Sequence, residues 1–184
     1  MQPLDPTILP TDLPVPANDG ACRHLIGTVV PPIKLPATDG TTVDLARCWP
    51  GRTVVYAYPR TGRPGVALPT GWDAIPGARG CTPESCGFRD HHAAMVARRA
   101  RVFGLSTQTT DYQREMVERL HLPFAVLSDA DMRLTHALRL PTFAVDGMTL
   151  IRRLTLVIRD GRIDHAFYPV FPPDSHAADV VAWL

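Results

Sequence analysis

Two cysteines raise the first question about chemistry. Cys81 and Cys86 lie five positions apart in the segment RGCTPESCGFRDHH, residues 79–92. This spacing is neither the Cys-x-x-Cys of dithiol redox sites nor a usual zinc-ligand pair. Thr82 as N-cap and Pro83 at the first helical position predict that a helix begins here. The free N–H groups and the dipole of a helix N-terminus lower the pKa of a thiol, so Cys81 is the candidate nucleophile.

The same residues have other interpretations. Two cysteines on a helix are often inert core residues. Cys81, Cys86, His91 and His92 could also suggest metal ligation, but zinc sites favour a second, distant ligand pair. His92 lies on an apolar helix face, which favours a core histidine.

The elements that must position the cysteine pair follow from hydrophobic periodicity and turn residues. Thr110 and Gln113 predict a capping box at the start of one helix. Alternating strands and helices indicate an α/β fold, a central sheet with helices on both faces. In chain order the predicted elements are a hairpin over 33–45 turning at Asp39-Gly40, a strand over 52–59, a Gly/Pro-rich loop over 60–80, a helix over 82–100, a strand over 101–106, a helix over 110–120, a strand over 124–129, a helix over 129–138, a hairpin over 150–170 turning at Asp160-Gly161, and a helix over 175–184.

Composition narrows the class of protein. The 184 residues, 45% hydrophobic and 20% charged with a net charge of +1, carry no polyelectrolyte signature for nucleic acid or a membrane surface. No signal peptide or membrane-spanning run is evident, so we expect a cytoplasmic protein. Residues 1–24 form a Pro-rich arm and 25–184 a single domain. Four cysteines in such a chain are more often thiols than structural disulfides. Cys22 and Cys48, which have no motif around them, are interpreted as structural or incidental.

The segment CTPESCGFRD resembles the active site of peroxiredoxins, the alkyl hydroperoxide reductase/thiol-specific antioxidant family. It is most similar to the Q-type, or bacterioferritin-comigratory, branch, in which a peroxidatic Cys precedes Thr-x-Glu, a resolving Cys and Phe-Arg-Asp. The matching residues are Cys81, Thr82, Glu84, Cys86, Phe88, Arg89 and Asp90.

The resemblance extends over about residues 25–184. DGTTVDL and GRTVVYAYP resemble the start of the family, and RRLTLVIRDGRI resembles the late strand that carries its active-site arginine, here Arg153. The resemblance implies a thioredoxin-like fold with peroxiredoxin additions and a central mixed sheet. It also implies a peroxidase without a cofactor or a metal, reduced by thioredoxin or a similar dithiol, and present as a monomer or a homodimer.

One departure from the family concerns a hydroxyl. The family has a threonine three residues before the cysteine, where this chain has Ala78. The Tyr-Pro pair ending at Pro59 also lies 22 residues before Cys81 instead of seven, an apparent insertion of 15 at about 60–80. We therefore expect the role of that hydroxyl to be taken by Thr61, if the loop folds back, or by Thr82 or a backbone N–H, with Pro59 and Thr61 near the substrate.

Peroxide reduction requires a thiolate that attacks one oxygen of the O–O bond, with a cation that stabilises both the thiolate and the leaving oxygen. By the resemblance Arg153 is that cation and Cys81 the thiolate. Glu84 would orient the arginine, or would be only a helix-start carboxylate favoured by the dipole. The product, a Cys81 sulfenic acid, condenses with the second thiol of Cys86 to a disulfide.

The five-residue spacing then predicts a conformational change. In an intact helix such residues have Cα atoms roughly 8.6 Å apart, whereas a disulfide needs them within about 7 Å. The helix must therefore unwind before Cys81 and Cys86 can bridge. Two other functions use the same pair: a thiol–disulfide oxidoreductase, disfavoured by the lack of Cys-x-x-Cys, and a redox-responsive binding protein.

Overall fold

The computed structural model describes residues 9–47 and 49–184. Cys48 lies outside these residues, so its structural role stays a prediction. No helix in the described ranges is long and apolar enough to cross a membrane. The elements are β1 (Lys34–Pro36), β2 (Thr42–Asp44), β3 (Arg52–Ala57), α1 (Cys81–Asp90), α2 (His92–Ala97), β4 (Ala100–Ser106), α3 (Thr110–Leu120), β5 (Val126–Ser128), α4 (Arg133–Leu138), β6 (Thr142–Val145), β7 (Met148–Ile151), β8 (Leu154–Arg159), β9 (Arg162–Phe167) and α5 (His176–Trp183).

Five strands form the central sheet in the order β5–β4–β3–β8–β9. Strands β3, β4 and β5 pair in parallel, whereas β8 is antiparallel to β3 and β9 is antiparallel to β8. The sheet is therefore mixed, as predicted. β3 is its central strand, and all but the first of its residues are buried, which explains its continuous apolar sequence.

Helices cover both faces of the sheet, which confirms the predicted α/β architecture. Helices α1, α2, α3 and α5 contribute to the core on one face, together with Val54 and Tyr56 of β3. Helix α4 and strand β1 pack on the other face against Val55 and Ala57. Alternate residues of β3 thus serve opposite cores, as the two-residue period of a strand requires.

The predicted hairpin over 150–170 is wrong at its start. Its first two residues end β7, which pairs with β6 in a separate hairpin. The missed signal is Asp146-Gly147, whose φ angles of 45° and 73° suit the tight turn between β6 and β7. The turn at Asp160-Gly161, between β8 and β9, is confirmed. Arg153 consequently lies between two hairpins, directly before β8.

Helix α1 begins two residues earlier than the predicted cap at Thr82 implies. Gly80, and not Thr82, is the N-cap, with a φ of 101°, and Cys81 is the first helical residue. Pro83 is therefore the third helical residue, which is tolerated because the first-turn N–H groups have no intrahelical partner. The predicted single helix over 82–100 is also divided, because His91 leaves the helical conformation between α1 and α2.

The predicted capping box of α3 is wrong by one residue. Thr109, and not Thr110, is the N-cap, and its hydroxyl accepts a first-turn N–H. The side chain of Gln113 is turned into the core instead, where its amide donates to Ser106 Oγ at 3.0 Å and to the carbonyl oxygen of Leu127 at 2.9 Å. The glutamine therefore ties α3 to β4 and β5.

The next strand and helix are shorter than predicted. β5 covers only 126–128 of the predicted 124–129, and α4 covers only 133–138 of the predicted 129–138. Asp129 explains the late helix start, because its carboxylate accepts the N–H groups of Leu134 and Thr135.

Candidate active site

Cys81 lies at the start of α1, at the carboxyl-end side of the central strand β3. Its side chain is only 4% exposed and belongs to the core on the α1 face of the sheet. The thiol Sγ is 3.2 Å from Nη2 of Arg153 and 3.5 Å from the carbonyl oxygen of Ala78. The candidate nucleophile is thus buried beside a cation.

Arg153 organises the segment that contains the nucleophile. The residue precedes β8, whose pairing with the end of β3 delivers it to this point. It is 3% exposed. Its Nη1 donates to Glu84, and its Nη2 lies 3.0 Å from the carbonyl oxygen of Arg79 and 3.3 Å from that of Ala78, in addition to Cys81 Sγ. One guanidinium therefore joins residues that are about 70 positions away in sequence.

Glu84 lies one helical turn after the nucleophile and is fully buried. Burial raises the pKa of its carboxyl to about 7, although the neighbouring Arg153 charge opposes the rise. Its Oε2 accepts from Arg153, and its Oε1 has no partner among the described residues. Glu84 thus holds Nη1 of the guanidinium, whereas the sulfur lies at Nη2.

The prediction of a lowered thiol pKa at Cys81 is wrong for the buried thiol of this structure. Burial raises the pKa of the thiol above its ordinary value, and the nearby charge of Glu84 raises it further. The charge of Arg153 and the backbone N–H of Arg60 oppose the rise. The physical reason is desolvation, which the helix-terminus argument left out. Arg153 is therefore the main side chain that favours the thiolate.

The structure does not place the hydroxyl of Thr61 on the sulfur. Thr61 is buried, and its N–H and hydroxyl lie 3.1 Å and 3.3 Å from Oε1 of Gln108. Thr82 is buried in the first turn of α1, and Pro59 is buried at the end of β3. Of the residues predicted from the sequence, Cys81, Glu84 and Arg153 come together, whereas Thr61 belongs to a neighbouring polar network.

Cys86 lies in the same helix as Cys81 and is partly exposed. Both thiols are free, and the intact helix keeps their Cα atoms roughly 8.6 Å apart. Cys22 is buried in the core on the opposite face of the sheet, where burial raises its pKa to about 12. Of the other described thiols, only that of Cys86 lies in helix α1 together with Cys81.

No group of three or more histidine, cysteine or acidic side chains in the described ranges could hold a metal ion. The ring nitrogen Nδ1 of His91 lies 3.0 Å from the carbonyl oxygen of Gly87 in the preceding helix α1. His92 packs on Phe124, with ring centroids 5.6 Å apart, in line with the interpretation as a packing residue.

Sequence reasoning missed several groups of the site. The carbonyl oxygens of Ala78 and Arg79 orient Arg153, but backbone acceptors leave no signature in side-chain type. His176 of α5 was also missed. It is buried on Thr155 with 2.9 Å between Nε2 and Oγ1, and burial, with the charge of Arg153, lowers its pKa to about 4. A histidine on an otherwise apolar helix was the available signal.

Comparisons with known proteins agree on one family. Residues 25–182 match the family model described as Redoxin. Peroxiredoxin bcp1 of Schizosaccharomyces pombe is 33% identical over 130 residues, covering 67% of this chain and 59% of that protein, so the chain spans less than two thirds of that relative. Peroxiredoxin Bcp of Escherichia coli is 28% identical over 162 residues, covering 86% of this chain and 94% of that protein.

A solved structure shares the fold. The crystal structure of peroxidoxin BcpB from Mycobacterium tuberculosis superposes with a TM-score of 0.68 at 26% identity, covering 85% of this chain and 94% of that one.

Proposed function

Because the chain belongs to the Redoxin family and is a peroxidase of its peroxiredoxin Q, or bacterioferritin-comigratory, branch, we propose that it reduces peroxides with Cys81 as the attacking thiolate. The single observation that carries this assignment is the guanidinium of Arg153, buried between Cys81 Sγ and the Glu84 carboxylate. The catalytic unit is residues 25–184, with 60–80 as an insertion and 1–24 as an arm.

The first step is in-line attack of the Cys81 thiolate on one oxygen of the O–O bond. An S–O bond forms and the O–O bond breaks, so sulfur is oxidised to a sulfenic acid while the peroxide is reduced. The leaving oxygen departs as hydroxide or alkoxide and takes up a proton to give water or an alcohol. Arg153, 3.2 Å from Sγ, is placed to stabilise the thiolate and the leaving oxygen together.

Glu84 acts in this proposal through Arg153 and not on the peroxide. Its carboxylate holds Nη1 while the carbonyl oxygens of Ala78 and Arg79 hold Nη2, so the guanidinium is oriented before substrate arrives. Such preorganisation is the usual source of large electrostatic effects in catalysis.

Substrate contacts near the sulfur come from Pro59, Thr82 and Thr61 in the proposal. Pro59 is buried two residues after β3, and Thr82 in the first helical turn offers a hydroxyl. For Thr61 to take part, its hydroxyl must turn away from Gln108 when peroxide binds.

Resolution uses the second thiol. The sulfur of Cys86 attacks the Cys81 sulfenic acid, an S–S bond forms and water leaves. Helix α1 must unwind to bring the two Cα atoms within disulfide range. A dithiol reductant such as thioredoxin then exchanges with the disulfide and restores both thiols. The enzyme acts as a monomer or a homodimer.

A coupled peroxidase assay tests the assignment. NADPH-linked thioredoxin turnover with hydrogen peroxide is measured for the wild type, Cys81→Ser, Cys86→Ser and the matched control Cys22→Ser, which alters a thiol on the other face of the sheet. We expect no turnover in Cys81→Ser, a trappable sulfenic acid and slow turnover in Cys86→Ser, and normal turnover in Cys22→Ser. Retained activity in Cys81→Ser would overturn the proposal. Disulfide exchange without peroxide consumption would instead indicate a thiol–disulfide oxidoreductase.

A further inference from the structure

The candidate nucleophile and its arginine are nearly inaccessible in the described structure. Cys81 is 4% and Arg153 is 3% exposed. Peroxide must nevertheless reach Sγ while α1 is folded, because unwinding the helix would remove the nucleophile from Arg153. The residues that close the approach to this site therefore decide which peroxides can enter.

Three segments pack around Arg153 and the backbone that leads into Cys81. We call them the active-site cover: residues 9–16 of the Pro-rich arm, residues 76–80 of the insertion, and residues 168–173 after β9. A methyl group added to Gly80 would collide with Pro173 and would lie 2.9 Å from Cδ2 of Leu9. A methyl group added to Gly77 would lie 3.6 Å from the Pro16 ring. The arm thus packs directly on the backbone that leads into Cys81.

The insertion is anchored by a small core of its own. Trp72 is 3% exposed and forms a small core with Ala78 and Leu150, and its ring centroid lies 6.1 Å from that of Phe143. Because Ala78 is at once part of this core and an acceptor for Arg153, the packing of the insertion and the geometry of the site are mechanically connected.

A narrow crevice lies within the cover, and Arg153 forms part of its wall. Its volume is about 10 Å³. This is about the room needed for one water molecule. The other lining residues include Pro16, Pro76, Gly77, Arg152 and Tyr168. Hydrogen peroxide, with two oxygen atoms, needs a small displacement of these side chains, whereas an aromatic hydroperoxide needs the arm to leave.

We infer that the active-site cover makes the enzyme selective for hydrogen peroxide over bulky organic hydroperoxides, and that Leu9 and Pro16 are specificity-determining residues. This inference rests on the proposed peroxidase function. It assigns to the arm and the insertion a role in substrate choice at the same site.

The test compares two substrates in the full-length, reduced enzyme. Second-order rate constants are measured for hydrogen peroxide and cumene hydroperoxide in the wild type, in Leu9→Ala/Pro16→Ala, and in Val15→Ala. Val15 is the matched control because it belongs to the same arm and is 66% exposed. We expect the wild type to prefer hydrogen peroxide, and the double variant to lose on the order of 10-fold of that preference, the usual scale for a change of one or two apolar contacts.

Two results would overturn the inference: equal rate constants for both peroxides in the wild type, or a preference that the double variant leaves unchanged. A preference that Val15→Ala reduces as much as the double variant does would also count against it.

A second measurement does not depend on peroxidase activity. The reduced proteins are labelled with iodoacetamide or with the larger N-phenylmaleimide, and adducts on Cys81 are located by peptide mass spectrometry. The cover predicts that the ratio of maleimide to iodoacetamide labelling at Cys81 rises in the double variant and not in Val15→Ala. If no variant consumes peroxide, the proposed function fails, and the labelling ratio alone decides whether the cover excludes bulky molecules.

Discussion

At the scale of single residues, the charge balance around Cys81 rests on Arg153. Desolvation raises the thiol pKa, and Glu84 adds a negative charge nearby. Among the described side chains, it is the charge of Arg153 that favours the thiolate at this sulfur. The cation is itself buried and is held by Glu84 and two carbonyl oxygens. Removing it should affect ionisation and catalysis together.

We predict that Arg153→Met raises the thiol pKa of Cys81 further and slows peroxide attack by about 10²-fold or more, as the loss of one preorganised charge donor does. Alkylation rates against pH give the pKa, and stopped-flow peroxide reduction gives the rate. Arg152→Met is the control for the thiol pKa, because Arg152 is partly exposed and its guanidinium lies 5.9 Å from the ring of Phe143.

The substitution also leaves Glu84 buried without its partner, which typically destabilises a protein by about 3–5 kcal/mol. The double variant Arg153→Met/Glu84→Gln removes both charges and keeps this cost low. An unchanged alkylation profile in both Arg153 variants would contradict the role of Arg153 in thiolate stabilisation.

At the scale of elements, helix α1 holds both cysteines and has to change between two states. Its start is tied down by Gly80 in a left-handed conformation and by the side chains of Leu9 and Pro173 around it. Its middle is held by Phe88, whose ring stacks on Tyr56 with 4.2 Å between the centroids. The disulfide state must release the first turns against these contacts.

We predict that oxidation unwinds α1 after residue 81. Amide exchange over 82–90 should be slow in the dithiol form and fast in the disulfide form, because the freed N–H groups lose their helical partners. Helix α3, residues 110–120, is the internal control and should stay protected. The fluorescence of Trp72, which is buried in the insertion, should change with the same transition.

A disulfide form with protected amides over 82–90 would contradict this prediction. Peptide mapping would then have to identify another disulfide partner for Cys81, and the candidates are Cys22 and Cys48.

At the scale of the whole molecule, His176 links helix α5 to the sheet and to the stability of the fold. It is 4% exposed, contacts Thr155 of β8, and has Phe88 and Phe167 edge-on to its ring. Burial and the Arg153 charge lower its pKa from about 6.5 to about 4. Between pH 4 and pH 6.5 the His176 side chain therefore binds fewer protons in the folded protein than in the unfolded chain.

We predict that His176 contributes stability that is fully present above pH 6.5 and is lost as the pH falls towards 4. A pKa difference of this size corresponds to about 3 kcal/mol in the free energy of unfolding. The free energy of unfolding is measured with urea for the reduced proteins at pH 7.5 and at pH 4. Between these two pH values, the wild type should lose about 3 kcal/mol more than His176→Gln loses.

The contribution of Glu84 to stability depends on pH in the opposite direction. Its pKa is raised to about 7, so its contribution is present below its unfolded value and is lost as the pH rises through 7. Both proteins contain Glu84, so its effect cancels in the comparison. Equal pH dependence in the wild type and in His176→Gln would contradict the prediction.

The sequence by itself determined the α/β class and the position of the reactive segment. The buried strand β3 is a continuous run of β-branched and aromatic residues, and the Asp160-Gly161 turn has the residues that a tight hairpin demands. The pattern of Cys81, Glu84 and Cys86 lies within six residues, and local patterns can be recognised without knowing the fold. Arg153 was found only through the resemblance of this sequence to a known family.

The tertiary structure decided what lies next to the nucleophile. Thr61 was a reasonable donor by sequence, but the fold places its hydroxyl on Gln108, which is 47 residues away. The sign of the Cys81 pKa shift was also beyond the sequence, because the helix terminus is a local feature whereas desolvation depends on everything packed around the thiol. The arm over Gly77 and Gly80 is a contact between distant segments, and such contacts follow from the closure of the whole chain and not from local sequence.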